Sequence, residues 1–359
     1  MEYAQADGKT FYGDSSHTLT NSFTVRRARL NIDGTVGRYV DFRIAPEFGN
    51  GSTSLYDAYA DLKFQPHAVL RGGKFKAPLG LEMLQNDTEL TFIERSLVSD
   101  LVPNRETGFQ LSGDVAGRVT YAIAAVNGAP DGSNIDGDSN DGKDFIARVF
   151  ATPFSRSGPS ALKGLGIGAA ASTGRQNGPL PSLKSTGGQS TFFAYASTAS
   201  AAGRRLRYSP QLYYYNGPVG IVAEYVESSQ WVKGTTLQEI NNHAWQVTGS
   251  WVLTGEKKSY RSVAPRNPIE GAKDFGWGAW EIAGRYSELN IDPIAFATKL
   301  ADISKSAQAA RNWAVGLNWY LSRNARLSMD YEQTRFQGGA TVGDRPNEKV
   351  FEQRLQVVF

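Results

Sequence analysis

Residues 23–33 read FTVRRARLNID and hold Arg26, Arg27 and Arg29 inside a short β-forming run. Three guanidiniums this close suit one chemistry above others, the partial replacement of an anion's hydration shell by fixed N–H donors. Other chemistries find less material. With no cysteine in the chain, thiol catalysis, Cys-ligated zinc and disulfides are excluded. His17, His67 and His243 have no metal-ligand spacing, and no serine–histidine–aspartate order sits in a strand–turn–helix context. The acidic stretch DGSNIDGDSNDGKD (131–144), aligned from Asp136 as a calcium loop, has Asp141 where glycine is required and Ala147 where glutamate is required. GLGIGAA (164–170) has glycine at every second position instead of the spacing of a phosphate cradle, and reads as a strand with one face pared to hydrogen. The expectation is no enzyme, no cofactor and no metal.

Charge narrows the arginines' role. Lys and Arg total 38 against 35 Asp and Glu, a formal +3, which gives no support to bulk polyanion or nucleic-acid binding. Their work must be local.

The elements that would position them alternate with period two. Phe351, Gln353, Leu355, Val357 and Phe359 share one face, with Glu352, Arg354 and Gln356 on the other. Trp313, Val315, Leu317 and Trp319 alternate with Asn312, Ala314, Gly316 and Asn318, and HAWQVTGSWVL and ARLSMDYEQ repeat the scheme. Apolar faces end in Trp and Tyr, and the opposite faces carry both charge signs, as a transmembrane barrel with a wet lumen requires. No apolar run approaches the roughly 20 residues of a membrane-spanning helix. Short connections (36–38, 65–69, 116–118, 216–218, 322–324) alternate with long ones (7–21, 48–54, 77–107, 128–143, 174–204, 229–241, 289–310, 336–347). Eight long loops imply an all-β, 16-stranded antiparallel transmembrane β-barrel in one domain, 1–359. The opening MEYAQADGKT lacks a charged and apolar leader, and the first strand is expected to be clipped at its N-terminal end. A soluble sandwich would leave the two-faced strands and the terminal Phe359 without a role.

A cation facing lipid near the bilayer centre costs about 2–4 kcal/mol, so alternation assigns faces with some force. Arg27 and Arg29 point inward and Arg26 lies near the long-loop end. Asp41, Arg43 and Glu47 face in on the next strand. Asp57, Tyr59, Asp61 and Lys63 follow on YDAYADLKF, whose Tyr56 faces out. Lys74, Arg207, Arg285, Arg326 and Arg354 also fall on the polar face. Mixed inward charges can simply solvate a lumen. The Arg26–Arg27–Arg29 cluster, with less acidic compensation in nearby sequence, is the better anion step.

GKFKAPLGLE, LTFIERSL and GFQLSG, in that order within 70–113, resemble the phosphate-selective porin O and P family. SPQLYYYNGPVGIVAEYV, WQVTGSWVLTGEKKSYR, GAWEIAGRYS and NWAVGLNWYL extend the resemblance from about Asn21 to Phe359. It implies a bacterial outer-membrane homotrimer, passive, in which the third long loop, here 77–107, folds inward and narrows each pore. It further implies paired arginines at Arg26 and Arg27, a loop arginine at Arg95, Asp57 near the phosphate proton, and a basic residue at Lys74; Arg29 and Arg43, placed on the polar face by alternation, are expected close by. Two departures stand out. Met83 replaces a lysine, and Asn86 and Asp87 replace serines, which should weaken phosphate discrimination. The turn TGEKKSYRSVAPRNPIEGAKDFG (254–276) is long for its side of the barrel. By resemblance it enters the periplasmic mouth with Lys257, Lys258 and Arg261, with Arg266 and Lys273 further along, against Glu256, Glu270 and Asp274; a solvated loop is the alternative.

The expected partners are small anions, phosphate or polyphosphate among them, and outer-membrane lipid, with no nucleic acid. Two alternatives stand beside an anion pore. One is a general or cation-leaning diffusion porin, for which Asp57, Asp61, Asp87 and Glu94 speak. The other is a non-channel adhesin or receptor using loops 128–143 and 174–204.

Overall fold

The computed structural model describes residues 2–12, 20–65, 67–134, 137, 140–271 and 276–359, with Lys9 the one side chain described before residue 20. Met1, His17, Asp136, Lys273 and Asp274 lie outside that set. The strands are β1 (Glu2–Tyr12), β2 (Ser22–Leu30), β3 (Ile32–Val36), β4 (Val40–Glu47), β5 (Ser54–Gln65), β6 (Ala68–Lys76), β7 (Arg105–Val115), β8 (Val119–Val126), β9 (Asp144–Ala151) and β10 (Leu165–Gly178). A small hairpin follows, β11 (Ser182–Lys184) and β12 (Thr191–Ala194). Then come β13 (Ser200–Asn216), β14 (Val219–Lys233), β15 (Leu237–Val252), β16 (Ala279–Asn290), β17 (Ala307–Tyr320), β18 (Ala325–Gly338) and β19 (Glu348–Val358). The helical pieces are short: α1 (Leu81–Leu84), α2 (Ile294–Ala297) and two 3-10 turns.

All strands but β11 and β12 join one sheet of 17 strands. β2 and β3 run nearly end to end along the pass that meets β4, so the sheet makes sixteen antiparallel passes. β1 pairs with β2 on one side and with β19 on the other, Tyr3 opposite Val358 through Tyr12 opposite Lys349. β1 has 11 residues, as does β19.

Alternation produced the outward face. Ile282, Tyr286, Val315, Leu355 and Val357 are exposed, while Glu281, Arg285, Asn312, Arg354 and Gln356 between them are buried. Aromatic rings gather at the strand ends, with Trp280 stacked on Trp319 (centroids 4.9 Å apart) near the turns and Trp245 against Tyr286 (5.3 Å) towards the long loops. Loop bounds moved where strands outran their loops. The expected long connection 229–241 is replaced by continuous strands joined through 234–236, and 174–204 shrinks as β10 reaches Gly178 and β13 starts at Ser200. Between β9 and β10, thirteen residues (152–164) form a connection the alternation did not mark.

The main buried apolar cluster lies within the sheet's embrace and not between layers. It joins Leu79, Met83, Leu97, Leu101 and Val102 of the segment after β6 to Phe192 and Phe193 of the hairpin and to Val226, Ile240, Leu289 and Phe336 of the wall. The glycines of β10 serve the inner face. A Cβ at Gly166 would meet the rings of Tyr213 (2.5 Å) and Phe150 (2.6 Å), so they clear space for aromatic side chains of β13 and β9. The expected close backbone approach holds at Gly164, whose Cβ would stand 1.6 Å from the Tyr215 carbonyl, and at Gly168, whose Cβ would also stand 2.6 Å from the Val149 carbonyl. His243 sits inside β15 and stacks on Tyr225.

Candidate functional site

Two bulges decide the arginine cluster. In β2 the register steps from Arg27 opposite Gln5 to Val25 opposite Ala6, so Arg26 is the extra residue. A bulge turns two successive side chains to one side. Arg26 Nη2 lies 2.9 Å from Glu94 Oε1, and Arg27 Nη2 3.9 Å from Glu94 Oε2. In β5 the register skips Tyr56, with Asp57 opposite Ala45 and Leu55 opposite Pro46. The outward assignment of Tyr56 is therefore corrected. Its ring is sandwiched between the guanidiniums of Arg29 (4.0 Å) and Arg105 (3.9 Å).

The cluster is richly compensated, which corrects the sequence-based expectation. Local sequence showed few acids, but 77–104 brings them from afar. Asp87 accepts from Arg95 Nη1 at 2.6 Å and Arg29 Nη2 at 3.1 Å, with Arg27 Nε at 3.7 Å. Arg29 also pairs with Glu47 at 2.9 Å. Arg95 donates to the carbonyls of Gln85 and Glu82 as well. Burial works against ionising Asp87, yet Arg95, Arg27 and Arg29 outweigh it and hold the carboxyl well below the usual range. Burial likewise opposes the charge on Glu94, and Arg26, Lys9 and Arg27 overcome it, so its pKa is lowered too.

The segment 77–104 is clasped from the wall. Glu224 of β14 accepts from the amides of Leu81 (2.6 Å) and Glu82 (3.0 Å), and Asp330 of β18 from that of Ile93 (2.6 Å). Arg285, Arg326 and Arg354 donate to the carbonyls of Glu94, Leu90 and Ile93 at 2.7–2.9 Å. Arg207 instead binds Asp131 and Asp144, anchoring the acidic loop. These four arginines, read from sequence as polar-face residues, are buried ties between loop and wall. Met83 belongs to the apolar cluster.

Of the other expected site residues, Arg43 and Asp57 line one cavity. Asp57 pairs with Arg105 at 3.0 Å, and Lys74 donates to the Leu55 carbonyl at 2.8 Å. Arg43 pairs with Asp33 at 2.6 Å. In the long turn after β15, Lys258 is buried against Glu281 at 2.6 Å, whereas Lys257 and Arg261 are exposed. The same turn reaches 77–104: Tyr260 donates to the Leu81 carbonyl, and Gln85 to the Tyr260 carbonyl.

A cavity of about 480 Å3 opens beside the clasped segment, with Arg43, Arg71, Lys76 and Arg148 in its lining alongside Asp57 and Asp114. Arg71 is paired with Asp61 (2.7 Å) and lies over Tyr59. Lys76 donates to the Gln85 carbonyl, and Arg148 to Gln211 at 3.0 Å while resting over Phe150. Neither Lys76 nor Arg148 has a carboxylate partner among the described residues. Sequence reasoning missed Arg71, Lys76, Arg105 and Arg148. Lys76 sits two residues after Lys74 in GKFKAPLGLE, and alternation along DFIARVF already put Arg148 opposite Phe145 and Ala147.

Comparison with known proteins agrees with this architecture. Porin O of Pseudomonas aeruginosa is 24% identical over 392 residues, covering 100% of this chain and 86% of that protein. Among solved structures, the anion-selective porin from Comamonas acidovorans matches with TM-score 0.61 and 11% identity, covering 100% of this chain and 99% of that one. The trimer form of OmpT, an outer membrane protein of Vibrio cholerae, matches with TM-score 0.58 and 12% identity, covering 100% and 98%. The family described as phosphate-selective porin O and P matches residues 2–359, so this chain, a β-barrel protein of the bacterial outer membrane, belongs to that family of porins.

Proposed function

We propose that the chain is a passive pore for small anions, phosphate and short polyphosphates among them, in which 77–104 narrows a closed sixteen-stranded barrel. The observation that carries this reading is the cavity beside that segment, where Lys76 and Arg148 stand without carboxylate partners among the described residues. Arg43 and Arg71 add donors at its edge. An entering anion trades part of its hydration for these guanidinium and ammonium groups, and several moderate sites let it leave again. Arg26, Arg27, Arg29 and Arg95 form the constriction's scaffold, with Asp87 and Glu94 fixing the distances between them. Lys257 and Arg261 draw anions at the opposite mouth. A homotrimer fits the trimeric form of a relative with the same fold.

The cation-leaning alternative is weakened by the pairing of its carboxylates. Asp57, Asp61, Asp87 and Glu94 each face a guanidinium within 3.0 Å, which leaves little free negative charge. Single-channel recording in a KCl gradient tests the reading. The reversal potential should lie on the chloride side, and phosphate should reduce chloride current. Arg148→Gln together with Lys76→Gln should move it towards zero and relieve the phosphate block. A potassium-side potential in the unaltered protein overturns the proposal.

A further inference from the structure

The wall facing away from the pore carries a charge pattern of its own. On β17 and β18, Arg311 and Arg335 stand directly opposite each other. Both are exposed, while Asn312 and Thr334 beside them turn inward and bond to each other. On β10 and β13, Arg175 and Arg204 repeat the arrangement, again exposed and directly opposed. Like charges facing across a strand pair destabilise it. One member of each pair has a carboxylate, Arg311 with Glu288 at 3.0 Å and Arg204 with Glu239 at 3.4 Å. The side chains of Arg335 and Arg175 have no ion pair or hydrogen bond among the described residues.

Next to Arg311 and Arg335, the outward ends of β15–β18 enclose a recess of about 460 Å3 lined by Asn241, His243, Asn290, Asp292, Gln308 and Gln337. Gln337 and Ala309 form the register pair two positions on from Arg311 and Arg335, with Ala310 and Phe336 between, and Gln337 is exposed on the same face as Arg335, so the recess and the cations are neighbours along that face. Trp313 follows Arg311 by two residues and Tyr331 precedes Arg335 by four, so the arginines lie just beyond the aromatic rings that mark a membrane interface. Paired guanidiniums suit a phosphate, and a recess whose polar lining is four amides, one imidazole and one carboxylate suits sugar hydroxyls.

We propose that this outward surface binds the phosphorylated sugar headgroup of an outer-leaflet glycolipid, with Arg311 and Arg335 sharing the phosphate and the amide-lined recess taking the sugar. The anion removes the repulsion the sheet otherwise carries, and the wall gains a lipid seated against its rim. The site is separate from the pore, so its test is separate from that of conduction.

Native mass spectrometry of the detergent-solubilised full chain, titrated with a phosphorylated glucosamine-disaccharide lipid, reads binding directly. The dephosphorylated lipid and inorganic phosphate serve as comparison probes. The phosphorylated lipid should bind about ten-fold or more tightly than its dephosphorylated form, as charge-assisted hydrogen bonds imply. Arg335→Gln should abolish that preference while leaving the reversal potential in a KCl gradient unchanged. In neutral detergent the same variant should melt at a higher temperature than the parent, and with the phosphorylated lipid at a lower one. Equal binding of the two lipids, displacement by inorganic phosphate at lipid-equivalent concentration, or a variant that alters subunit association instead of lipid binding overturns the proposal.

Discussion

Arg26 Nη2 lies 2.9 Å from Glu94 Oε1 because a bulge in β2 turns Arg26 to the side that Arg27 already occupies. Without the extra residue, one of the two would face lipid. The pair also spans 68 positions of sequence (94 − 26), which makes it a joint between strand and loop.

Glu94→Gln removes the charge that holds Arg26 and Arg27 while keeping the shape. Both guanidiniums then act on permeating ions, so the reversal potential in a KCl gradient should move further to the chloride side. Planar-bilayer recordings check this, and no movement would mean the pair does not face the ion path.

Asp87 joins Arg27, Arg29 and Arg95 in one buried network. Removing one partner of such a network leaves uncompensated charge and costs about 3–5 kcal/mol. Asp87→Ala should destabilise the fold by that order, measured by urea unfolding in lipid vesicles. Loss of stability within error of zero would show that the arginines find other partners.

The pH dependence follows from the same residues. Asp87 and Glu94 have folded-state pKa values below the unfolded ones, despite burial, because guanidiniums surround them. Their contribution is complete above about pH 4 and is lost as pH falls towards the depressed values. Anion selectivity arising from this network should therefore be flat between about pH 5 and 8. A titration midpoint inside that range that Glu94→Gln abolishes would contradict the assignment.

Asp100 behaves in the opposite sense. Burial pushes its carboxyl up to about 7, although the Lys184 amide bonded to it pulls the other way. Between about pH 4 and 7 the folded state holds the proton and the unfolded chain does not, so local stability falls as pH rises through that window. Hydrogen exchange at Lys184, corrected for its intrinsic rate, should show more opening at pH 8 than at pH 5, and Asp100→Asn should remove the difference.

The glycines of β10 provide a packing test. A Cβ at Gly168 would stand 2.4 Å from the Phe150 ring and 2.6 Å from the Val149 carbonyl, whereas one at Gly249 would meet nothing within 4 Å. Gly168→Ala should cost about 1–3 kcal/mol by overpacking, and Gly249→Ala should be near neutral. Thermal melts of the two variants side by side decide it.

The sequence by itself determined the class of fold and the side on which most charges stand. Period-two alternation is enforced by the cost of placing a cation against lipid, and each strand carries that information locally. It therefore assigned Arg27, Arg29, Arg207, Arg285, Arg326 and Arg354 to the polar face without knowledge of any partner. What tertiary structure decided was what those charges meet. The bulges that turn Arg26 and Tyr56 inward depend on one extra residue against a neighbouring strand, which no single strand reveals. Glu94 and Asp87 reach the arginines only because 77–104 is clasped by Glu224, Asp330 and three wall arginines far along the chain. The charges were legible as a list; whether each lines a path or ties down a loop is a matter of distance, and distance belongs to the folded barrel.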